Sequence, residues 1–393
     1  MTRFFIYLFS FSIPLSGILG FKLAPICAVL LLIVRMGQVR DVALSKTICI
    51  LFLCFIMLLL VQAFRELDAL ILATVFTYYF LVGVIFGTFS EKYQLDIFYK
   101  GYVHGIITAC LIFYASLFNG GVSNTIIDWQ LGTPVNLSGM KNPNGWAPFL
   151  ILAVAANDYV FRSKKPSRLF LNRHFVFLLL ILGSLLFTYS RAAILSLIVY
   201  FLIAHHRKLL RSYVVIGLFF AVFLTGDMLQ NLFLPLAGEY EAGTILSNKE
   251  GSLTARSGIL IAIFELPWDH FFIGNGYGTS KILLEEIQGF SLSLHNVFLA
   301  ILVELGFFQL LIFVMICAYP FINVHMRTGE FFPSRYQQKY ILAGVLASFL
   351  YWMFHESHIN TAFWAFYFCL MFQISGDRLQ SNFGDSSRNK TVT

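Results

Sequence analysis

The stretch His295-Asn296-Val297-Phe298-Leu299-Ala300-Ile301-Leu302-Val303-Glu304-Leu305-Gly306 passes within two residues from polar to lipid-soluble chemistry. It closes a polar interruption that runs from about Leu232 to Leu292, and it opens an apolar run reaching to about residue 319. Outward from it, apolar runs recur at about 4–20, 23–36, 45–63, 68–89, 97–118, 144–161, 174–189, 191–204, 211–231, 293–319, 338–355 and 359–376. A helix needs roughly 20 apolar residues to cross a bilayer, so the shorter runs read as tilted, paired or partly re-entrant.

Composition supports this reading. The 393 residues are 58% hydrophobic and 12% charged, with a mean hydropathy of +0.77, whereas soluble domains carry about a quarter charged residues. The expected fold is an all-α polytopic membrane protein of about twelve transmembrane helices. Residues 1–231 would hold the first nine spans, 232–292 an outer loop or lid containing short helices, 293–376 the last three spans, and 377–393 a polar cytoplasmic tail. The loop is too small for an autonomous core and should pack on the membrane domain. The N-terminus reads as a retained first span, because Met1-Thr2-Arg3 and its apolar run lack a small-x-small cleavage site. All six cysteines fall inside apolar runs without C-x-x-C spacing, which reads as buried free thiols.

Basic residues orient the chain. With both termini inside, twenty of the 27 Lys and Arg fall in inner loops and seven outside, the bias expected of cytoplasmic loops. The long interruption is then exterior, as are Phe118–Asn144, the Ser190-Arg191 junction and His355-Glu356-Ser357-His358. The few exterior basic residues run against the bias, which makes them the better functional candidates.

Several constellations there have both a chemical and a structural reading. Arg191, in Thr188-Tyr189-Ser190-Arg191-Ala192-Ala193, either snorkels to lipid phosphate, caps helix carbonyls, or forks onto a substrate phosphate. Arg256 precedes Ile259, Leu260, Ile263 and Phe264 at helical spacing, which suggests an amphipathic surface helix with a cation near its start; a solvated loop arginine is the alternative. His295 is either an interfacial polar group or a general base, with Asn296 orienting it or a substrate. Gly274-Asn275-Gly276-Tyr277-Gly278 follows no strand, so it reads as a tight, adaptable turn rather than a nucleotide cradle. Lys141-Asn142-Pro143-Asn144-Gly145 sets a helix entry or hydrogen-bonds sugar and phosphate. His355-Glu356-Ser357-His358 lacks H-E-x-x-H spacing and no Asp-x-Asp pair is present, so a metal-independent reaction is expected.

These pieces in this order resemble the O-antigen ligase family, within the wider group that also holds O-antigen polymerases and protein O-oligosaccharyltransferases. The likeness rests on Asn142-Pro143-Asn144, Thr188-Tyr189-Ser190-Arg191-Ala192, Arg256, Gly274–Gly278, and His295-Asn296 running to Glu304-Leu305-Gly306. It implies a glycosyltransferase fold of the GT-C type in the bacterial inner membrane, with the active site facing the periplasm. It implies transfer of polysaccharide from undecaprenyl diphosphate to a sugar hydroxyl of lipid A–core, with no cofactor, metal or nucleic acid. On these residues, Arg191 and Arg256 would bind the donor diphosphate and His295 would be the general base of an inverting displacement. Arg65, Lys141, Asn144, Asn296 and Glu356 would contact substrate. The alternatives are a polymerase of the same group, which takes a second lipid-linked repeat unit as acceptor, and a lipid-linked oligosaccharide flippase or transporter. A flippase predicts charges within the spans and two related halves, whereas here polarity concentrates at one outer face.

Overall fold

The computed structural model describes residues 2–19, 23–35, 46–64, 68–87, 92–120, 143–162, 168–188, 190–205, 263, 266–280, 282–283, 294, 296–328, 338–353 and 362–371. Among these there is no strand. The helices are α1 (Thr2–Leu19), α2 (Leu23–Arg35), α3 (Lys46–Ala63), α4 (Asp68–Gly87), α5 (Lys92–Gly120), α6 (Pro143–Arg162), α7 (Arg168–Phe187) and α8 (Arg191–His205). They are followed by α9 (Trp268–Ile273), α10 (Val297–Leu305), α11 (Phe307–Thr328), α12 (Gln338–Trp352) and α13 (Ala362–Met371). Four stretches, Lys46–Ala63, Asp68–Gly87, Tyr93–Ala115 and Phe307–Met326, are long and apolar enough to cross a membrane, and six further apolar helices are shorter. The protein is an all-helical, polytopic membrane protein. The run at 211–231 and most of the 232–292 loop lie outside the described residues.

Because lipid is as apolar as leucine, these helices associate through shape rather than through hydrophobic segregation. The best-fitted pair is α1 against α5. Gly101 and Gly105, one helical turn apart, bring the α5 backbone so close that an added Cβ would run into Ser10 Oγ and the Phe11 carbonyl respectively. At the centre stands α13, with every side chain from Ala362 to Met371 buried, as expected of a helix apolar on all sides. Its Trp364 meets Phe52 of α3 and Phe76 and Tyr79 of α4 at 5.3–5.6 Å between ring centroids. Phe368 fills the notch left by Gly83.

One polar cluster is buried in this apolar bundle. Asp158, near the end of α6, accepts a hydrogen bond from Tyr200 Oη at 2.7 Å and faces His205 Nε2 at 3.0 Å and His174 Nε2 at 3.3 Å. Asn157 beside it donates to the His174 carbonyl at 3.2 Å. One carboxylate thereby ties α6, α7 and α8 together, and α12 joins them through the His205–Tyr340 ring contact at 5.6 Å. Asp158→Ala should lower unfolding stability by about 3 kcal/mol, since it strands buried donors in low dielectric. Thermal unfolding in detergent, compared with an exposed-site control, measures the loss.

The cluster also sets the register of the bundle. From Asp158 back to Pro143, from His205 back to Arg191 and from Tyr340 on to Trp352 are 12 to 15 residues of helix each, about 20 Å at 1.5 Å per residue. The starts of α6 and α8 and the end of α12 therefore lie at the same, far end of the bundle.

One expectation is revised. The apolar run 293–319 is not a single span, because it divides at Gly306 into α10 and α11. Phe298 and Phe313 lie at nearly equal distances on either side of that glycine, and their rings meet 6.1 Å apart. A continuous helix would hold them about 22 Å apart, so the chain folds back on itself there.

Candidate active site

The bend at Gly306 needs two things that sequence periodicity does not display. One is a residue able to turn: Gly306 sits at φ 91°, in the left-handed region open chiefly to glycine. The other is partners for the carbonyls at the end of α10, each of which costs several kcal/mol if left bare in an apolar medium. All four are answered. Leu302 O accepts from Gly306 N at 3.1 Å, and Val303 O from Asn275 N and Nδ2 at 3.0 and 2.8 Å. Glu304 O accepts from Gly276 N at 2.8 Å, and Leu305 O from Gln62 Nε2 of α3 at 2.9 Å.

The Gly274–Gly278 turn is therefore a C-terminal cap for a helix distant in sequence. Gly274, at φ 81°, lies back to back with Gly306. A Cβ on Gly306 would fall 2.7 Å from the Phe272 carbonyl oxygen, and one on Gly274 would strike the backbone of Glu304 and Leu305. The buried Glu304 carboxylate accepts a hydrogen bond from the hydroxyl of Ser280. Ile263, Leu294, Ala300 and Val303 form a small apolar cluster beneath, joined by Leu266, Phe271, Leu283 and Leu299. The described end of the long loop is thus fastened to α10 at several points.

The opposite end of α10 carries Asn296, whose side chain is heavily engaged. Its Oδ1 accepts from Phe298 N at 2.9 Å and Leu299 N at 3.0 Å, an N-cap. Its Nδ2 donates to Met353 O at 3.1 Å, just past the end of α12. The sequence reading offered Asn296 as an orienting or substrate-binding amide. In the structure both oxygen lone pairs are taken up by the helix start, and one amide hydrogen by α12.

The Arg191 junction is built by hydroxyls. Thr188 Oγ1 donates to Leu185 O at 2.7 Å and closes α7. Ser190 Oγ accepts from Ala193 N at 3.3 Å and opens α8, so Arg191 is the first residue of that helix. An N-terminus of this kind carries partial positive charge and favours anions. Ala193 is fully buried, which accounts for a small residue there.

Of the expected site residues, Arg191 and Asn144 are described in backbone only, each in the first turn of its helix, and Asn296 in full. His295 stands between the described Leu294 and Asn296, and it, Arg256, Arg65, Lys141 and Glu356 lie outside the described residues. The structure brings the backbone at Asn144, Arg191 and Asn296 to the same end of the bundle as Met353. It adds two residues that were not read as site residues, Gln62 and Ser280. An apolar run ending in an amide is the only signal Gln62 gives, and Ser280 gives none. Glu304, quoted from sequence only as part of the apolar run, is the anchor for Ser280.

Residues 176–314, about a third of the chain, match the family described as O-antigen ligase. The match begins in α7, spans the Arg191 junction, the long loop, the glycine turn and α10, and ends within α11. No curated protein matches the chain at a significant level.

Proposed function

We propose, from the O-antigen ligase match over the segment that builds this end of the bundle, that the chain is a membrane glycosyltransferase. Its donor is a glycan on undecaprenyl diphosphate and its acceptor a sugar hydroxyl of lipid A–core, met at the periplasmic face of the inner membrane. The observation that supports the reading is that the helix start at Arg191 and the α10 start that follows His295 lie at the same end of the bundle. The proposed reaction is one displacement. His295 takes the proton of the acceptor hydroxyl, whose oxygen forms the new bond to the anomeric carbon from the face opposite the diphosphate. The carbon–oxygen bond to phosphate breaks with its electron pair, leaving undecaprenyl diphosphate and an inverted linkage. Arg191 and Arg256 stabilise charge on the leaving diphosphate, a task suited to planar forks that bond two oxygens at once. Asn296, spent on the α10 cap and on Met353, would hold the neighbouring imidazole in place. Arg65, Lys141, Asn144 and Glu356 remain proposed substrate contacts.

Replacing Arg191 or Arg256 with Lys keeps the charge but removes the fork. Each variant should lose on the order of 10²-fold in transfer rate while accumulating in the membrane as the wild type does. Full rate in both would remove diphosphate recognition from these positions. The reading as a whole is tested with purified protein, undecaprenyl-diphosphate glycan and lipid A–core. Glycan on lipid A–core is the expected product. A lengthened lipid-linked glycan would make the chain a polymerase of the same group, and no covalent product would leave the flippase reading.

A further inference from the structure

Among the described residues, the six-residue helix α9 is held from one side. Phe271 packs inward on the small apolar cluster, the Ile273 carbonyl accepts from Gln62 Nε2 at 3.3 Å, and the Phe272 ring meets Phe307 at 6.3 Å. Outward, Trp268 is 80% exposed, Phe272 56% and Ile273 59%. Three large apolar side chains on so short an element form a patch that needs a partner.

The neighbours identify what covers it. Helix α11 exposes Phe307, Phe308, Leu311 and Met315 along one face of a membrane-length span. Helix α3, also of membrane length, exposes Met57 and Val61, and Phe64 just past its end. Those faces are outward on helices that are two-thirds or more unburied within the protein, so their surroundings are acyl chains. Helix α9 sits where both faces end: Gln62 of α3 holds its last carbonyl, and Phe307 of α11 holds its Phe272 ring. Its exposed side chains continue two lipid-facing stripes. They also include a tryptophan, the residue type that gathers where acyl chains meet headgroups.

We infer that α9 is an interfacial anchor, with Trp268, Phe272 and Ile273 inserted into the phospholipid bilayer at its boundary. The long loop then does not stand clear of the membrane at this point. It is pinned to the lipid surface within a few residues of the Asn275–Gly276 cap, so the fastening between loop and α10 lies at headgroup depth. This assignment stands independently of the transferase reading.

The test compares full-length wild type with Trp268→Phe in nanodiscs, taking the emission lost in the variant as that of Trp268. With phospholipids brominated near the headgroup end of the acyl chains, that component should be quenched, and aqueous iodide should leave it largely untouched. In the Trp268→Phe background, Phe272→Trp provides a second reporter that should behave alike. Quenching by iodide and not by bromine would overturn the anchor and make the patch water-facing. Protection from both quenchers would also overturn it, by showing that protein rather than lipid covers the patch.

Discussion

Replacing His295 with alanine is expected to lower glycan transfer by about 10²–10⁴-fold, the range a general base contributes, while protein level and donor supply stay unchanged. The expectation follows from the division of labour in the proposed displacement. A diphosphate leaves readily without proton donation, so the proton that must move is the one on the acceptor hydroxyl. Imidazole is the side chain whose ordinary range lets it accept that proton near neutral pH. Position 295 precedes a cap that ties α10 to the end of α12, so alanine there should leave the cap standing. The measurement is capped lipid A–core in membranes of a strain lacking its own transferase, with the lipid-linked donor quantified alongside. Normal capping would take the base away from His295, and a loss of donor would place the defect upstream of transfer.

The second large effect is expected at Gly306. Valine there must hold φ near 91° with a β-branched side chain, and its Cβ must displace the carbonyl of Phe272 and the backbone of Ile273 and Gly274. Either cost alone is of order 1–3 kcal/mol, and backbone cannot swing aside as a side-chain tip can. Parting the two glycines would also strip Val303 O and Glu304 O of their donors and separate Ser280 from Glu304. Gly306→Val should therefore lose transfer almost entirely and become sensitive to protease in the loop near residue 275. Gly278→Ala is the control: φ is 83°, yet an added Cβ would meet nothing within 4 Å, so only backbone strain of about 1 kcal/mol is expected. Equal behaviour of the two variants would mean that the close approach does not matter.

Asp158, His174, Tyr200 and His205 show how a buried cluster escapes notice in a sequence. They are 16, 26 and 5 positions apart along the chain, and no spacing between them forms a recognisable motif. Only when α6, α7 and α8 pack does one carboxylate meet a tyrosine hydroxyl and two imidazoles. Gln62 escaped for the same reason, because its partners Ile273 and Leu305 are more than 200 residues away.

The amino-acid sequence by itself determined that this is a helical membrane protein, because acyl chains admit only backbones that satisfy their own hydrogen bonds, and long apolar runs declare that directly. It also singled out the few polar motifs, since each stands against an apolar background. The position of the helix break was the decision of tertiary structure. Val297–Leu305 and Phe307–Thr328 read as one run because hydrophobicity is continuous across Gly306. A helix can end inside such a run only if its last carbonyls find donors, and those donors are Asn275, Gly276 and Gln62, from a distant loop and a distant span. Hydrophobic pattern is a local property of the chain, whereas the partners that permit a helix to stop exist only once the fold has brought them there.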